Sequence, residues 1–192
     1  MNITKQEIIK RMKIFKDTGE IDIDFAREKL IEYQYLKKEN PALSMRVTNN
    51  LNEIITKNFT AVELFSKDVP GLLVYSELLI NVIQNVRNAL CNKYQNDIRI
   101  NINSAFRTKE YNDIYLPSIG YSTSANSKHK LGIALDITSP DIPLMDLYDS
   151  IILSSEILRK KRIIVYPLKN FIHVDLYGYQ TYHKICVGTT LY

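Results

Sequence analysis

Apolar residues recur at the helical period through the first part of the chain. After Thr4-x-x-Glu7, a pairing able to cap a helix start, Ile8, Met12 and Phe15 fall on one face. Asp17-Thr-Gly19-Glu20 interrupts that pattern. Asp24 is then expected to cap a second helix carrying Ala26, Leu30, Tyr33 and Leu36 or Lys37, which ends before Pro41. Leu43, Val47, Leu51 and Ile54 or Ile55 keep the helical spacing and predict a third helix. From Asn58 the pattern changes. Thr60-x-x-Glu63 opens a short helix that closes around Asp68-Val-Pro70-Gly71. Leu72, Leu79, Val82, Ile83, Val86 and Leu90 then predict a long amphipathic helix with its apolar stripe on a sheet.

Strand-type alternation begins at Ile98-Arg-Ile100-Asn-Ile102 and delivers Ser104 to Arg107 at its end. Residues 113–128, with Pro117, Gly120 and a cluster of serines and threonines, read as a loop. Gly132 to Ile137 is the next strand, and Leu144, Leu147, Tyr148, Ile151 and Ile152 mark another helix. The basic run Lys160-Lys-Arg162 at its end complements the helix dipole, and a patch for an anionic polymer is its second reading. Ile163–Tyr166 and Phe171–Leu176 are two strands joined at Pro167–Asn170, and a tyrosine-rich tail follows. In the second of these strands Phe171, His173 and Asp175 share one face. The chain thus divides into a helical region, 1–57, and a mixed region, 58–192. Docking to a protein partner, binding to a wall and bracing the second region are all open roles for the first.

Composition narrows the classes. A chain of 192 residues with 45% hydrophobic residues can bury its own core. Its 25 basic and 21 acidic residues leave +4, spread over helical faces. That argues against a nucleic-acid footprint but suits an anionic polymer. No stretch approaches the ~20 apolar residues of a membrane span, and the start lacks the apolar run of a signal peptide. Synthesis in a cytoplasm is expected. Cys91 and Cys186 stand far apart and are expected to be free thiols. A calcium loop around Gly19 is excluded, because the register would place Ile14 and Phe25 at its first and last ligand positions.

The candidate chemistry lies in Ser127-Lys-His129-Lys-Leu-Gly132-Ile-Ala134-Leu-Asp136 and in Phe171-Ile-His173-Val-Asp175. Two of the three histidines in the chain sit in these segments. Two imidazoles and one carboxylate, with a fourth position open, form the ligand set of a catalytic zinc site.

S-x-H-x-x-G-x-A-x-D followed by H-V-D resembles the zinc D-alanyl-D-alanine carboxypeptidase family. That family includes the L-alanyl-D-glutamate endopeptidases of phage lysins and shares its fold with the hedgehog domain. Ser104-Ala-Phe-Arg107-Thr-Lys-Glu-Tyr-Asn112 is similar to its S-x-x-R-[ST]-x-x-x-N segment, and Phe59-Thr-Ala-Val-Glu63-Leu to its opening helix. The resemblance spans roughly residues 58 to 178. It implies an α+β fold, a small antiparallel sheet flanked by helices. It further implies a Zn2+ held by His129, Asp136 and His173, and hydrolysis of D-amino-acid-containing bonds in the peptide stem of peptidoglycan. Arg107 matches the arginine that meets the substrate's carboxylate or the developing oxyanion. Ser127 matches a serine near the substrate, and Gly132 lets the backbone bend between two ligands.

The chain departs from the family three residues before His173. Many relatives carry there a glutamate that takes the proton of the zinc-bound water; this chain carries Asn170. Asp175 is the nearest carboxylate, as catalytic base, as a group orienting a ligand, or as a structural group bonded to neighbouring backbone or to Arg107. Two readings follow: a zinc peptidase, or a catalytically weak zinc module of the same fold acting within a larger assembly such as a virion.

Overall fold

The computed structural model describes residues 3–178 and 181–186. Its fold is mixed α+β. Helix α1 (Lys5–Thr18) starts at Thr4, whose hydroxyl accepts from the Glu7 N–H, and ends at Gly19. Helix α2 (Ile23–Glu32) is capped by Asp22, and α3 (Tyr35–Glu39) follows. Asp24 was the expected cap; Asp22 takes that place because its carboxylate accepts the Phe25 N–H, leaving Asp24 in the first turn.

The helix expected from Ala26 to Leu36 is divided between α2 and α3, and the one expected from Leu43 to Ile55 does not form. Leu43–Val47 is strand β1 and Ile54–Thr56 is strand β2. Strand β1 pairs antiparallel with β4 (Leu72–Ser76), and β2 with the two-residue β3 (Phe59–Thr60). Every residue of β4 is buried, so its peptide groups need a partner strand, and β1 supplies it. The helix expected from Leu72 therefore begins only at Glu77. There α4 (Glu77–Tyr94) is capped by the Ser76 hydroxyl and presents Leu79, Ile83, Val86 and Leu90 to the core. The boundary expected at 57/58 falls within the β2–β3 pair. One apolar cluster joins Phe25, Ala26, Tyr33, Leu36 and Leu43 to Leu72, Val74 and Phe106.

The main sheet runs β5 (Asn101–Ser104), β6 (Ala134–Thr138), β8 (Phe171–Asp175), β7 (Arg162–Tyr166), β9 (Tyr182–Ile185). Its pairings are antiparallel except β7 with β9, which is parallel. Leu135, Ile137, Ile163, Val165, Ile172 and Val174 are buried on one face, in a core shared with α4 and α6 (Leu144–Ser154). The alternation of strand side chains sends Asp136, His173, Asp175, Arg162, Tyr166 and Phe171 to the other face. The helix after Pro143 stops at Ser154, and a short α7 (Glu156–Arg159) follows. Lys160–Arg162 therefore does not end the longer helix; Arg162 opens β7. The stretch 113–128 is not wholly loop, since a π-helical turn (Tyr111–Tyr115) runs into α5 (Leu116–Ser118). Cys91 and Cys186 are free and half-buried. Among the described residues no helix is long and apolar enough to cross a membrane.

Candidate metal centre

Register builds the centre. Asp136 of β6 stands opposite His173 of β8, and Ser104 of β5 stands opposite Asp136. His129 comes from a 3-10 turn, Lys128–Leu131, that leads into β6. Between turn and strand the chain passes Gly132 at φ 67, where a Cβ would lie 2.9 Å from Val74 Cγ1 and 3.1 Å from the Val74 carbonyl. Only glycine fits there without strain, and the bend carries His129 back over Asp136.

His129 Nε2, Asp136 Oδ1 and His173 Nδ1 form a triangle with edges of 3.1, 2.9 and 3.2 Å. All three residues are buried, and their converging atoms could hold a metal ion. A tetrahedral ion with bonds of about 2.0–2.1 Å places its ligand atoms roughly 3.3 Å apart, which this triangle approaches. The Ala105 carbonyl accepts from His129 Nδ1–H at 2.7 Å, which fixes the tautomer with Nε2 free toward the centre.

Burial lowers the His129 pKa, more than the nearby Asp136 carboxylate raises it. A neutral, metal-competent ring results. Burial opposes ionisation of Asp136, yet its interactions with His129 and His173 outweigh it and hold its carboxyl well below the usual range. For His173 burial again acts downward, but bonds to Asp136 and Asp175 prevail and raise its pKa.

The two oxygens of Asp136 divide their work. Oδ1 faces the histidines, while Oδ2 accepts from Arg107 Nη2 at 2.5 Å. Arg107 also donates Nε–H to Ser104 Oγ at 2.9 Å, so the guanidinium is held flat against the rim of the centre. It lines a cavity of about 60 Å³ together with Lys67, Ser104 and Tyr111. Thr108 is fixed independently: its hydroxyl donates to Asp68 Oδ2 and its N–H to Ser66 Oγ. Burial pushes the Asp68 carboxyl up to about 6, against the bonds from Ser66 and Thr108. Asn112 reaches across to the Ser124 carbonyl at 3.2 Å, securing the loop before His129. Ser127 stands at the start of the His129 turn, and its hydroxyl makes no cap bond there.

Asp175 lies behind His173, away from the converging atoms. Its Oδ2 accepts from His173 Nε2–H at 2.9 Å, the ring nitrogen that is not among the converging atoms. The same oxygen accepts from Arg162, and Oδ1 accepts the Tyr177 N–H at 2.9 Å. The carboxylate is fully buried. Burial alone would raise its pKa, but His173, Tyr177 and Arg162 together lower it. The carboxylate read as the candidate base is thus bonded to the outer nitrogen of His173 and is not among the converging atoms. Arg162, read only as part of a basic run, is its counter-ion, and only the β7–β8 register brings the two together. Asn170 is exposed and caps the 3-10 turn Pro167–Lys169 at φ 52. Asparagine tolerates that left-handed backbone better than glutamate does.

Comparison with protein-family models, with curated proteins and with solved structures gave no match.

Proposed function

We propose that the protein is a zinc-dependent peptidase, of the D-alanyl-D-alanine carboxypeptidase and L-alanyl-D-glutamate endopeptidase type, that hydrolyses D-amino-acid-containing bonds of peptidoglycan. One observation carries the reading. His129 Nε2, Asp136 Oδ1 and His173 Nδ1 converge within hydrogen-bond distance while Arg107 grips the outer oxygen of Asp136. Two neutral-capable imidazoles and a carboxylate, with a fixed guanidinium beside them, suit zinc better than a purely structural cluster. Zinc bound there would supply a Lewis acid and bring the pKa of a water near 7. The chain's own residues do the rest. Ala105 and Asp175 hold the two imidazoles in register, and Ser104 and Asp136 fix the position of the planar Arg107 fork beside the centre, for a substrate carboxylate or oxyanion.

Elemental analysis should find one zinc per chain, lost in His129→Ala, and purified cell wall should release free amino groups with the loaded protein. A wild-type chain that takes up no zinc sinks the reading.

A second reading, a zinc-bound module that hydrolyses feebly, draws on one feature. Asp175 is committed to His173, Arg162 and Tyr177, and Asn170 cannot titrate. Zinc uptake with no release from cell wall would favour it.

A further inference from the structure

The turn that carries Arg107 is held by residues of the N-terminal helices, 76 to 81 positions earlier. Phe106, immediately before it, is buried and meets the Tyr33 ring edge-on, with centroids 5.2 Å apart at 86°. Two residues after Arg107, the Lys109 N–H donates to the Tyr33 hydroxyl at 2.7 Å. That hydroxyl lies 3.3 Å from Glu110 Oε2 as a donor, and Glu110 Oε1 accepts from Lys29 Nζ at 2.6 Å. Lys29 closes the array on Glu32 at 2.7 Å. Lys29 and Tyr33 are each only 3% exposed.

A lysine this deeply buried is costly unless its charge is matched, so the pairing with Glu110 differs in kind from an exposed ion pair. The Tyr33 hydroxyl similarly answers a backbone donor that would otherwise be left without a partner. Both grips fall on the sequence neighbours of Arg107. Its own side chain points the other way, to Ser104 and Asp136.

We infer that the N-terminal helical region is a brace that sets the position of Arg107, with Lys29 and Tyr33 as its positioning residues. The inference rests on Arg107 being the substrate arginine. It replaces the idea of a separate docking unit for these helices with a part of the site's own scaffold. The physical reason is one of tolerance: misplacing a substrate-binding group by about 1 Å is enough to cost roughly a hundredfold in rate.

Tyr33→Phe is the decisive variant, because it keeps the ring against Phe106 and removes only the hydroxyl. Lys29→Met removes the buried charge, and Lys29→Arg should restore much of what it loses. In the full-length, zinc-loaded protein, hydrolysis of a synthetic stem peptide containing D-amino acids should lose about tenfold in kcat/KM in Tyr33→Phe, with zinc stoichiometry retained. In arginine-labelled protein the Nε–H resonance of Arg107, assigned by Arg107→Lys, should shift and exchange faster in the same variant. An unchanged resonance, or an unchanged kcat/KM in an active enzyme, overturns the inference. So does loss of zinc alongside the resonance, which would make the helices a support for the whole centre. If the wild type itself hydrolyses nothing, the peptidase reading fails, and the Arg107 resonance alone decides whether the brace exists.

Discussion

His173 donates Nε2–H to Asp175 Oδ2 at 2.9 Å, while its Nδ1 faces Asp136 and His129. The imidazole is therefore strung between a carboxylate that shares the centre and one that lies behind it. Such an outer carboxylate fixes the ring's orientation and raises its basicity as a ligand.

The first prediction concerns that outer carboxylate. Asp175→Asn should weaken zinc binding by about 10–100-fold, measured by competition with a chelating dye. At saturating zinc the turnover of wall fragments should stay within a few-fold of wild type. A loss of about 10²–10⁴-fold with zinc fully bound would identify Asp175 as the proton acceptor.

Arg107→Lys keeps the positive charge but cannot reproduce bonds to Ser104 and Asp136 from one planar group. Catalytic efficiency on stem peptides should fall by about 10²-fold, the scale on which loss of one fixed donor to a developing charge is felt. Thermal stability and zinc content should be retained. Unaltered turnover would remove the arginine from the substrate's path.

Asn170→Glu tests the position where the resembling family places its base. Asn170 is exposed with φ 52, so glutamate should destabilise the protein by about 1 kcal/mol through backbone strain. No gain in hydrolysis is expected. Asn170→Gly should be neutral or slightly stabilising by chemical denaturation. A rise in rate of orders of magnitude in Asn170→Glu would favour the weak-module reading of the wild type.

Asp68 should leave a signature in acid. Its folded pKa is raised to about 6 from 3.8, so between those values the folded state binds a proton that the unfolded chain does not. Its contribution is fully present below pH 3.8 and is lost as pH rises through 6. A shift of roughly two units corresponds to about 3 kcal/mol at most. Asp68→Asn, which cannot ionise, should therefore gain stability relative to wild type as pH is raised from 4 to 7. Urea titrations across that range would show a flat difference if the carboxyl is not buried as described.

Gly132→Ala should be among the most damaging single changes. It combines an unfavourable φ, worth about 1–3 kcal/mol, with a close approach to the Val74 side chain and carbonyl. Because the same bend sets His129 over Asp136, zinc affinity should fall with stability, and calorimetry with and without zinc would register both.

The three converging residues and their neighbourhood could be read from local spacing. His129, Gly132 and Asp136 lie within eight positions, and the alternation in Phe171–Asp175 already put His173 and Asp175 on one face. Short spacings and strict periods of that kind survive folding, since local backbone geometry fixes them. Helix α1, the Thr60–Glu63 capping box and α6 were legible for the same reason.

Other features depend on the packing of segments distant in the chain. Leu43–Val47 has helical spacing, but the fully buried β4 needed a partner for its peptide groups and drew that segment into a strand. The roles of Asp175 and Arg162 turned on the β7–β8 register, a pairing between residues 13 apart that neither segment encodes alone. The grip of Lys29 and Tyr33 on the Arg107 turn spans 76 to 81 positions. Contacts at that range come from packing of whole elements, and the local pattern of hydrophobic and polar residues carries no trace of them.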